Sequence, residues 1–401
     1  MRVLFLSLLN FDTFDERNIY SDLLREFMKH GHEVYCIAPV EKRTGKNTHF
    51  ADDGHLLKVK IGNIQKTNVV EKGISTLMIE KQFIKAIKKY FSNVKFDFVL
   101  YTTPPVTFAN VIRYLKKRDG AITYLMLKDI FPQNAVDLGM MRKTGVKGLI
   151  YKYFRGKEKK LYSLSDHIGC MSAANIEYVM QNNSEITKDK VGLCPNSIEV
   201  HDLRLTDQER LEMRRKYGIP LNKRVFVYGG NLGKPQGVPF IVECLRACSV
   251  LENVYFVIVG SGTERYLLEK YVDKESTLHI KLLNQIPKNE YDKLVACCDI
   301  GLIFLDHRFS IPNFPSRLLS YMQAGLPVLA CTDSNSDVGE VITNGDFGWW
   351  SESNNAETFS KIIMQVAEMD ISAHRKRAWE YLCDFYDVQN TYLKCFAHLI
   401  E

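Results

Sequence analysis

The chain lacks most signatures that would declare its chemistry outright. Its ten cysteines among 401 residues form no CxxC pair and no His/Cys cluster at zinc spacing, which excludes the common structural zinc sites and a paired redox motif. No run approaches the roughly 18 apolar residues needed to span a bilayer, so any membrane association is expected to be peripheral. The net charge of +6 is modest and announces no nucleic-acid partner. The first strand candidate, RVLFLSLL, runs into LNFDTFDERNIY without GxGxxG, which disfavours a dinucleotide dehydrogenase, and no GxxxxGK[ST] occurs, which removes the ATP-type P-loop. The N-terminal apolar run stops at Asn10 without a small-residue cleavage site, so it reads as a buried strand and not a signal peptide. The scattered thiols read as reduced and cytoplasmic, with Cys297 and Cys298 in LVACCDIGLIFL acting as small buried hydrophobes.

What is present is an alternation of short apolar, β-branched or aromatic runs with helix-period segments, the pattern of parallel sheets covered by helices. RVLFLSLL, EVYCIAP, HLLKVKI, FDFVLYTTP, AITYLMLKDI and HIGCMSA are strand candidates in the first half; RVFVYGG, VYFVIVGSG, HIKLLNQI, IGLIFLD and PVLACTD serve the second. Ile19, Leu23, Leu24, Phe27 and Met28 form one face of a first crossover helix that ends at Gly31. The expected fold class is α/β, with two Rossmann-like doubly wound domains over residues 1–198 and 199–373. A helical tail at 374–401 could pack on the first domain. Such domains direct the loops at their strand C-termini toward a shared cleft.

Two stretches place glycine between strand and helix. YGGNLGKPQG carries Gly230, Asn231, Lys234 and Gln236; VGSGTERYLLEKY carries Gly260 and Gly262. Glycine permits a sharp turn that leaves N–H groups open to phosphate. One such loop is an ordinary connection; two on consecutive β/α units point to a nucleotide. In IPNFPSRLLSYMQAGLPVLA, Pro315 suits a first helical turn, with Ser316 and Arg317 at the helix N-terminus and Leu318, Leu319 and Met322 inward. A buried helix with an entry proline is the alternative.

GNLGKPQG, VGSG, CDIGLIFL and PSRLLSYMQAGLPVLA, in this order and spacing, resemble the C-terminal domain of retaining GT-B glycosyltransferases of family 4, and more narrowly the bacterial branch that assembles O-antigen and capsule. RNIYSDLLREFMKHGHEVYCIAP, KDIFPQNAVDLG and LCPNSIEV extend the resemblance over nearly the whole chain. The resemblance implies retaining transfer of a sugar from a nucleotide-sugar donor, with UDP as the expected nucleotide, and no cofactor or metal. The absence of any Asp-x-Asp is consistent with that. The implied acceptor is a polyprenyl-diphosphate-linked saccharide on the cytoplasmic face of the membrane. Implied donor contacts are the glycine-loop residues named above, Ile286, Pro315, Ser316, Arg317, Leu319 and Ser320.

Two pairs of positions depart from the family pattern. Asn231 stands where the family has arginine and Gln236 where it has lysine, leaving Lys234 or Arg317 to meet the diphosphate. Pro312 and Ser320 stand at two positions where the family has glutamates, so a carboxylate on the ribose is not expected. In the acceptor domain, Lys128 and Asp129 follow AITYLML where relatives carry a charged pair touching the transferred sugar; Asp129 as a turn cap is the competing reading. Arg17 and Asn18 lie at the same sheet edge as candidate substrate contacts. Residues 141–162 carry eight Lys/Arg against one Glu, with Leu149, Ile150, Tyr153 and Phe154 interleaved. Such a segment suits an anionic membrane surface or, equally, a solvated face over a buried stripe; the resemblance favours the membrane. Two rivals remain: a GT-B nucleotide-sugar 2-epimerase and a non-catalytic two-lobed sugar-binding protein.

Overall fold

Apolar runs of four to nine residues punctuated by turn residues become strands when helices cover both faces of a parallel sheet. In the computed structural model, which describes residues 1–397 apart from 53, 66 and 276–278, the chain divides into two units. One comprises Met1–Glu199 together with the segment from Val388 onward; the other is Val200–Asp387.

The first unit is built on β1 (Arg2–Leu6), β2 (Glu33–Glu41), β3 (His49–Ala51), β4 (Leu56–Ile61), β5 (Phe98–Thr102), β6 (Ile122–Leu127), β7 (His167–Cys170) and β8 (Val191–Leu193). Their order is β3-β4-β2-β1-β5-β6-β7-β8, with β3 antiparallel on the edge and the remaining pairs parallel. Strand order reverses between β1 and β5, so the loops after those strands flank the switch-point crevice. The helix Ile19–Lys29 buries Leu23, Leu24 and Phe27, and Gly31, at φ +77°, turns the chain into β2.

The second unit contains β9 (Arg224–Asn231), β10 (Val254–Ser261), β11 (Ile280–Leu283), β12 (Ile300–Phe304), β13 (Val328–Thr332) and β14 (Gly348–Glu352). All are parallel, in the order β11-β10-β9-β12-β13-β14. In chain sequence that is 3-2-1-4-5-6, the dinucleotide-fold arrangement, with its switch point between β9 and β12. Phe226, Tyr228, Phe256, Ile258 and Phe304 lie in its core, and Cys297 and Cys298 are fully buried.

The division falls at Glu199/Val200, one residue from the boundary drawn on sequence. The helical tail expected at 374–401 is shared between the two units. The helix Ser372–Phe385 buries Ala378 and Leu382 within the second unit. The helix Val388–Ala397 places Val388, Tyr392 and Cys395 in the core of the first unit with Phe27, Phe98 and Tyr124. Two separate apolar faces, interrupted at Tyr386–Asp387, explain the split. Val388 N–H donates to Ile198 O at 2.9 Å, so the outgoing and returning strands of chain are joined on the first unit. Among the described residues no helix is long and apolar enough to cross a membrane.

Candidate functional site

In the second unit the two glycine loops are hydrogen-bonded to one another. Gly230 lies opposite Gly260, and Asn231 opposite Ser261, in the β9–β10 ladder. Leu232 N–H donates to Ser261 O and Glu264 N–H to Leu232 O, each at 2.9 Å. A Cβ on Gly260 would collide with Gly230 O, and one on Gly262 with Leu232 O. These two glycines are therefore required by close approach of neighbouring backbone, which accounts for them without a ligand.

The first loop closes on itself. Asn231 Nδ2 donates to Gln236 Oε1 at 2.9 Å, and Gly233 N–H reaches the same oxygen at 3.4 Å. Lys234 opens a single 3₁₀ turn, Lys234–Gln236, and projects to solvent. Gly237, at φ +61°, then admits the helix Val238–Ala247. Asp306 N–H donates to Pro235 O at 3.0 Å, tying the loop to the residues just beyond β12. The turn thus lies at the switch point.

Arg317 comes to the same place from a different part of the chain. Its Cζ stands 4.6 Å from the centroid of the Tyr228 ring, and a Cβ on Gly230 would be 3.4 Å from the guanidinium. Nη1 is buried and has no hydrogen-bond partner among the described residues. Tyr321 Oη accepts from Gly229 N–H at 3.1 Å and donates to Leu302 O at 2.9 Å, pinning β9 against β12 beside this cation. Tyr291 packs its hydroxyl where a Gly229 side chain would be. A guanidinium against a tyrosine face is stabilised by cation–π attraction, while its unpaired N–H remains a donor for an anion.

The helix behind it runs Arg317–Gln323, with exposed Ser316 as its N-cap. Pro315 therefore precedes the cap and is not in the first turn, and Leu318 N–H bonds to Pro315 O at 3.2 Å. Leu319, expected among the donor contacts, has a side chain buried in the core and an N–H bonded to Ser316 O at 3.1 Å. Ser320 is half-buried one turn on, and Ile286 is half-buried between β11 and the helix Lys288–Ala296.

In the first unit Lys128 and Asp129 follow β6 but do not act as a pair. Lys128 Nζ donates to Cys194 O at 3.3 Å, and burial lowers its pKa. The Asp129 carboxylate accepts from Asn134 Nδ2 at 2.7 and 2.8 Å, and burial raises its pKa to about 6. Successive residues leaving a strand point to opposite faces, which separates the two charges. Asn18 Oδ1 caps the helix Ile19–Lys29, accepting from Tyr20 and Ser21 N–H at 3.0 Å each; it is a structural cap. Arg17 lies half-buried just before it.

Lys58 was not anticipated. Only 1 % exposed on β4, it directs Nζ at Asn10 Oδ1, Phe11 O and Asp12 Oδ1, the last at 2.9 Å. It holds down the loop that follows β1. In HLLKVKI it looks like any polar strand residue; nothing local marks it as buried. The basic segment forms the helix Gly145–Leu164. Val146, Leu149, Ile150 and Tyr153 are exposed along it, Leu149 by 68 %, so these residues are not a buried stripe. Phe154 packs on Phe131 at 5.1 Å. The helix Val69–Tyr90 exposes Val70, Ile74, Leu77 and Met78 at helical spacing. Among the described residues no three His, Cys, Asp or Glu side chains converge to hold a metal ion.

Residues 209–381 match the family model for glycosyl transferases group 1. The chain is 22 % identical to the probable glycosyltransferase WbjE of Pseudomonas aeruginosa, over 78 % of this chain and 76 % of that protein. It is 23 % identical to the putative colanic acid biosynthesis glycosyl transferase WcaI of Escherichia coli (strain K12), over 61 % and 60 %. Among solved structures it superposes on Anabaena HepE in complex with UDP with a TM-score of 0.70 at 13 % identity, over 100 % of this chain and 99 % of that one. The chain has the GT-B fold, and the stretch that matches glycosyl transferases group 1 lies within its second unit.

Proposed function

We propose that the protein is a retaining glycosyltransferase of family 4 that moves a sugar from a UDP-linked donor to a polyprenyl-diphosphate-linked saccharide in surface-polysaccharide assembly. The observation that carries this reading is Arg317, a caged cation with a buried, unpaired N–H at the switch point of the second unit. Departure of a nucleoside diphosphate develops charge on its phosphates, and a fixed guanidinium supplies the compensation. Arg317 takes the role that Asn231 and Gln236, bonded to one another, do not fill; exposed Lys234 adds a second cation. Ser316, Ser320, Ile286 and the backbone at Gly230 are assigned to the rest of the donor, and no metal or cofactor is assigned.

The acceptor is assigned to the first unit, with Asp129 near the transferred sugar and Arg17 beside the loop that Lys58 holds. The UDP complex of HepE and the polysaccharide role in the name of WcaI support the donor and pathway class. Exposed Val146, Leu149, Ile150 and Tyr153 beside exposed Arg142, Lys143 and Lys152 support peripheral attachment to the anionic cytoplasmic leaflet, where cations and apolar side chains act together.

The test is a transfer assay with a panel of nucleotide sugars, a polyprenyl-diphosphate saccharide in detergent, and EDTA in a parallel arm. Product with retained anomeric configuration from a UDP donor, undiminished by EDTA, is expected. Failure of every nucleoside diphosphate to bind the protein would sink the reading, and conversion of donor alone would identify an epimerase instead.

A further inference from the structure

We propose that Asp333, in the turn after β13, is a positioning residue for Arg317: through Ser336 and Asn335 it holds the segment that delivers this cation to the donor. This role rests on the donor reading above, and Asp333 itself belongs to none of the donor motifs visible in the sequence.

Residues 305–316 join β12 to the helix Arg317–Gln323 without a helix or strand of their own. Phe309, Ile311 and Phe314 bury their side chains, which draws the segment inward but, being non-directional, does not set its register. Pro312 and Pro315 have no N–H to anchor. Two bonds from the turn after β13 supply direction. Asn335 Nδ2 donates to Phe309 O at 2.7 Å, and Ser336 Oγ accepts Asn313 N–H at 3.0 Å. Asn313 stands four residues before Arg317. At its other end the segment meets the glycine loop, where Asp306 N–H donates to Pro235 O. The clamp therefore lies between the two walls of the proposed donor site.

Asp333 sets both contacts. Its Oδ1 accepts Asn335 N–H at 3.0 Å and Ser336 N–H at 2.9 Å, and Oδ2 accepts the Ser336 hydroxyl at 3.0 Å. An ionised carboxylate only accepts, so the Ser336 hydroxyl donates to it and turns a lone pair toward Asn313. The relay has one polarity: Asn313 N–H to Ser336 Oγ, then Ser336 O–H to Asp333. An amide at this position would offer an N–H to the same hydroxyl and lose that direction. An ordinary turn cap needs only the two backbone bonds, which asparagine supplies without a charge. Asp333 is instead 1 % exposed and bonded to neutral groups, and burial raises its pKa to about 6. That is a cost in stability at neutral pH which the turn alone does not require.

The experiment is calorimetric binding of UDP and of uridine to the full chain, well below the melting temperature of each variant. Ser336→Ala removes the acceptor for Asn313 N–H and leaves both backbone bonds of the turn in place. It is expected to weaken UDP about fivefold or more, since a small misplacement of a charged group is costly. Uridine carries no phosphate for Arg317 and should stay within about twofold of the wild type. Asp333→Ala is expected to weaken UDP further; should it fold poorly, Ser336→Ala decides alone. Unchanged UDP affinity in Ser336→Ala, or equal losses for UDP and uridine, would overturn the role of the turn and leave the donor reading standing, because the wild type still binds. A wild type that binds no nucleoside diphosphate would overturn both.

Discussion

Asn231 and Gln236 are bonded to each other, Nδ2 to Oε1 at 2.9 Å, across the turn that carries Lys234. That single bond makes the loop neutral inside and cationic only at its tip. Gln236→Ala removes the acceptor for both Asn231 Nδ2 and Gly233 N–H, and should lower stability by about 1 kcal/mol and raise the KM for donor. Lys234→Ala should leave the melting curve unchanged, because the side chain is exposed, while lowering kcat/KM at least tenfold. A steady-state donor titration beside calorimetry separates the two variants; near-normal turnover in Lys234→Ala removes the lysine from the chemistry.

Lys58→Met leaves Phe11 O and two side-chain oxygens without their buried donor. A stability loss of about 1–3 kcal/mol is expected by urea unfolding, with new proteolytic cleavage between residues 7 and 18. Unchanged cleavage in that loop would show that other contacts hold it.

Asp129 titrates in the folded protein at about 6 against an ordinary 3.8, because burial disfavours its charge. A raised carboxyl pKa means that the native state holds its proton more tightly, so stability falls as pH rises through the window from about 4 to 6. Asp129→Asn should match the wild type at pH 4 and exceed it by roughly 2–3 kcal/mol above pH 6.5, while transfer activity drops. Parallel melts across pH 4 to 8 give the answer, and a constant difference over that range would refute the assignment.

Glu199 shows the opposite sign. Hydrogen bonds from Lys29 and then Arg25 hold its pKa near 2, so its contribution is present at neutral pH and disappears as pH falls from about 4.5 toward 2. Its side chain is 26 % exposed, and screening limits the effect of Glu199→Gln at pH 7 to about 1–2 kcal/mol. The two proteins should draw together below pH 4.5 and converge only as pH approaches 2 in denaturant titrations.

Leu149→Asp with Ile150→Asp removes apolar surface without touching the core. Binding to vesicles rich in anionic lipid should fall more than tenfold in flotation assays, with far-ultraviolet circular dichroism unchanged. Equal flotation would move the membrane contact elsewhere.

Periodicity made much of the fold legible. RVFVYGG and the helix face of Leu23, Leu24 and Phe27 declare themselves because their spacing is set by one element alone. GWWSE, the edge strand β14, does not, since two bulky aromatics between polar neighbours carry no alternation; β3 and β8, at three residues each, are too short to show any. The site was legible in part. YGGNLGKPQG and PSRLL were visible as motifs, but the cage around Arg317 combines Tyr228, Tyr291 and Tyr321, and only folding joins them. Gly260 and Gly262 were visible as loop glycines, but their close approach to the backbone of Gly230 and Leu232 is set by folding and is not written in the sequence. Lys58 and the divergence of Lys128 from Asp129 are likewise matters of burial, which a single strand pattern does not report.

The return of Val388–Ala397 to the first unit has a consequence for the order of events on the ribosome. Phe27, Phe98 and Tyr124 are made early, yet the surface that covers them, Val388, Tyr392 and Cys395, emerges only after all of residues 200–387. The first unit must wait with an open flank while the second is synthesised and folds, and its closure is a docking step between segments far apart in time. Chains stalled before residue 388 should therefore present that flank to chaperones, whereas chains released after 397 should not.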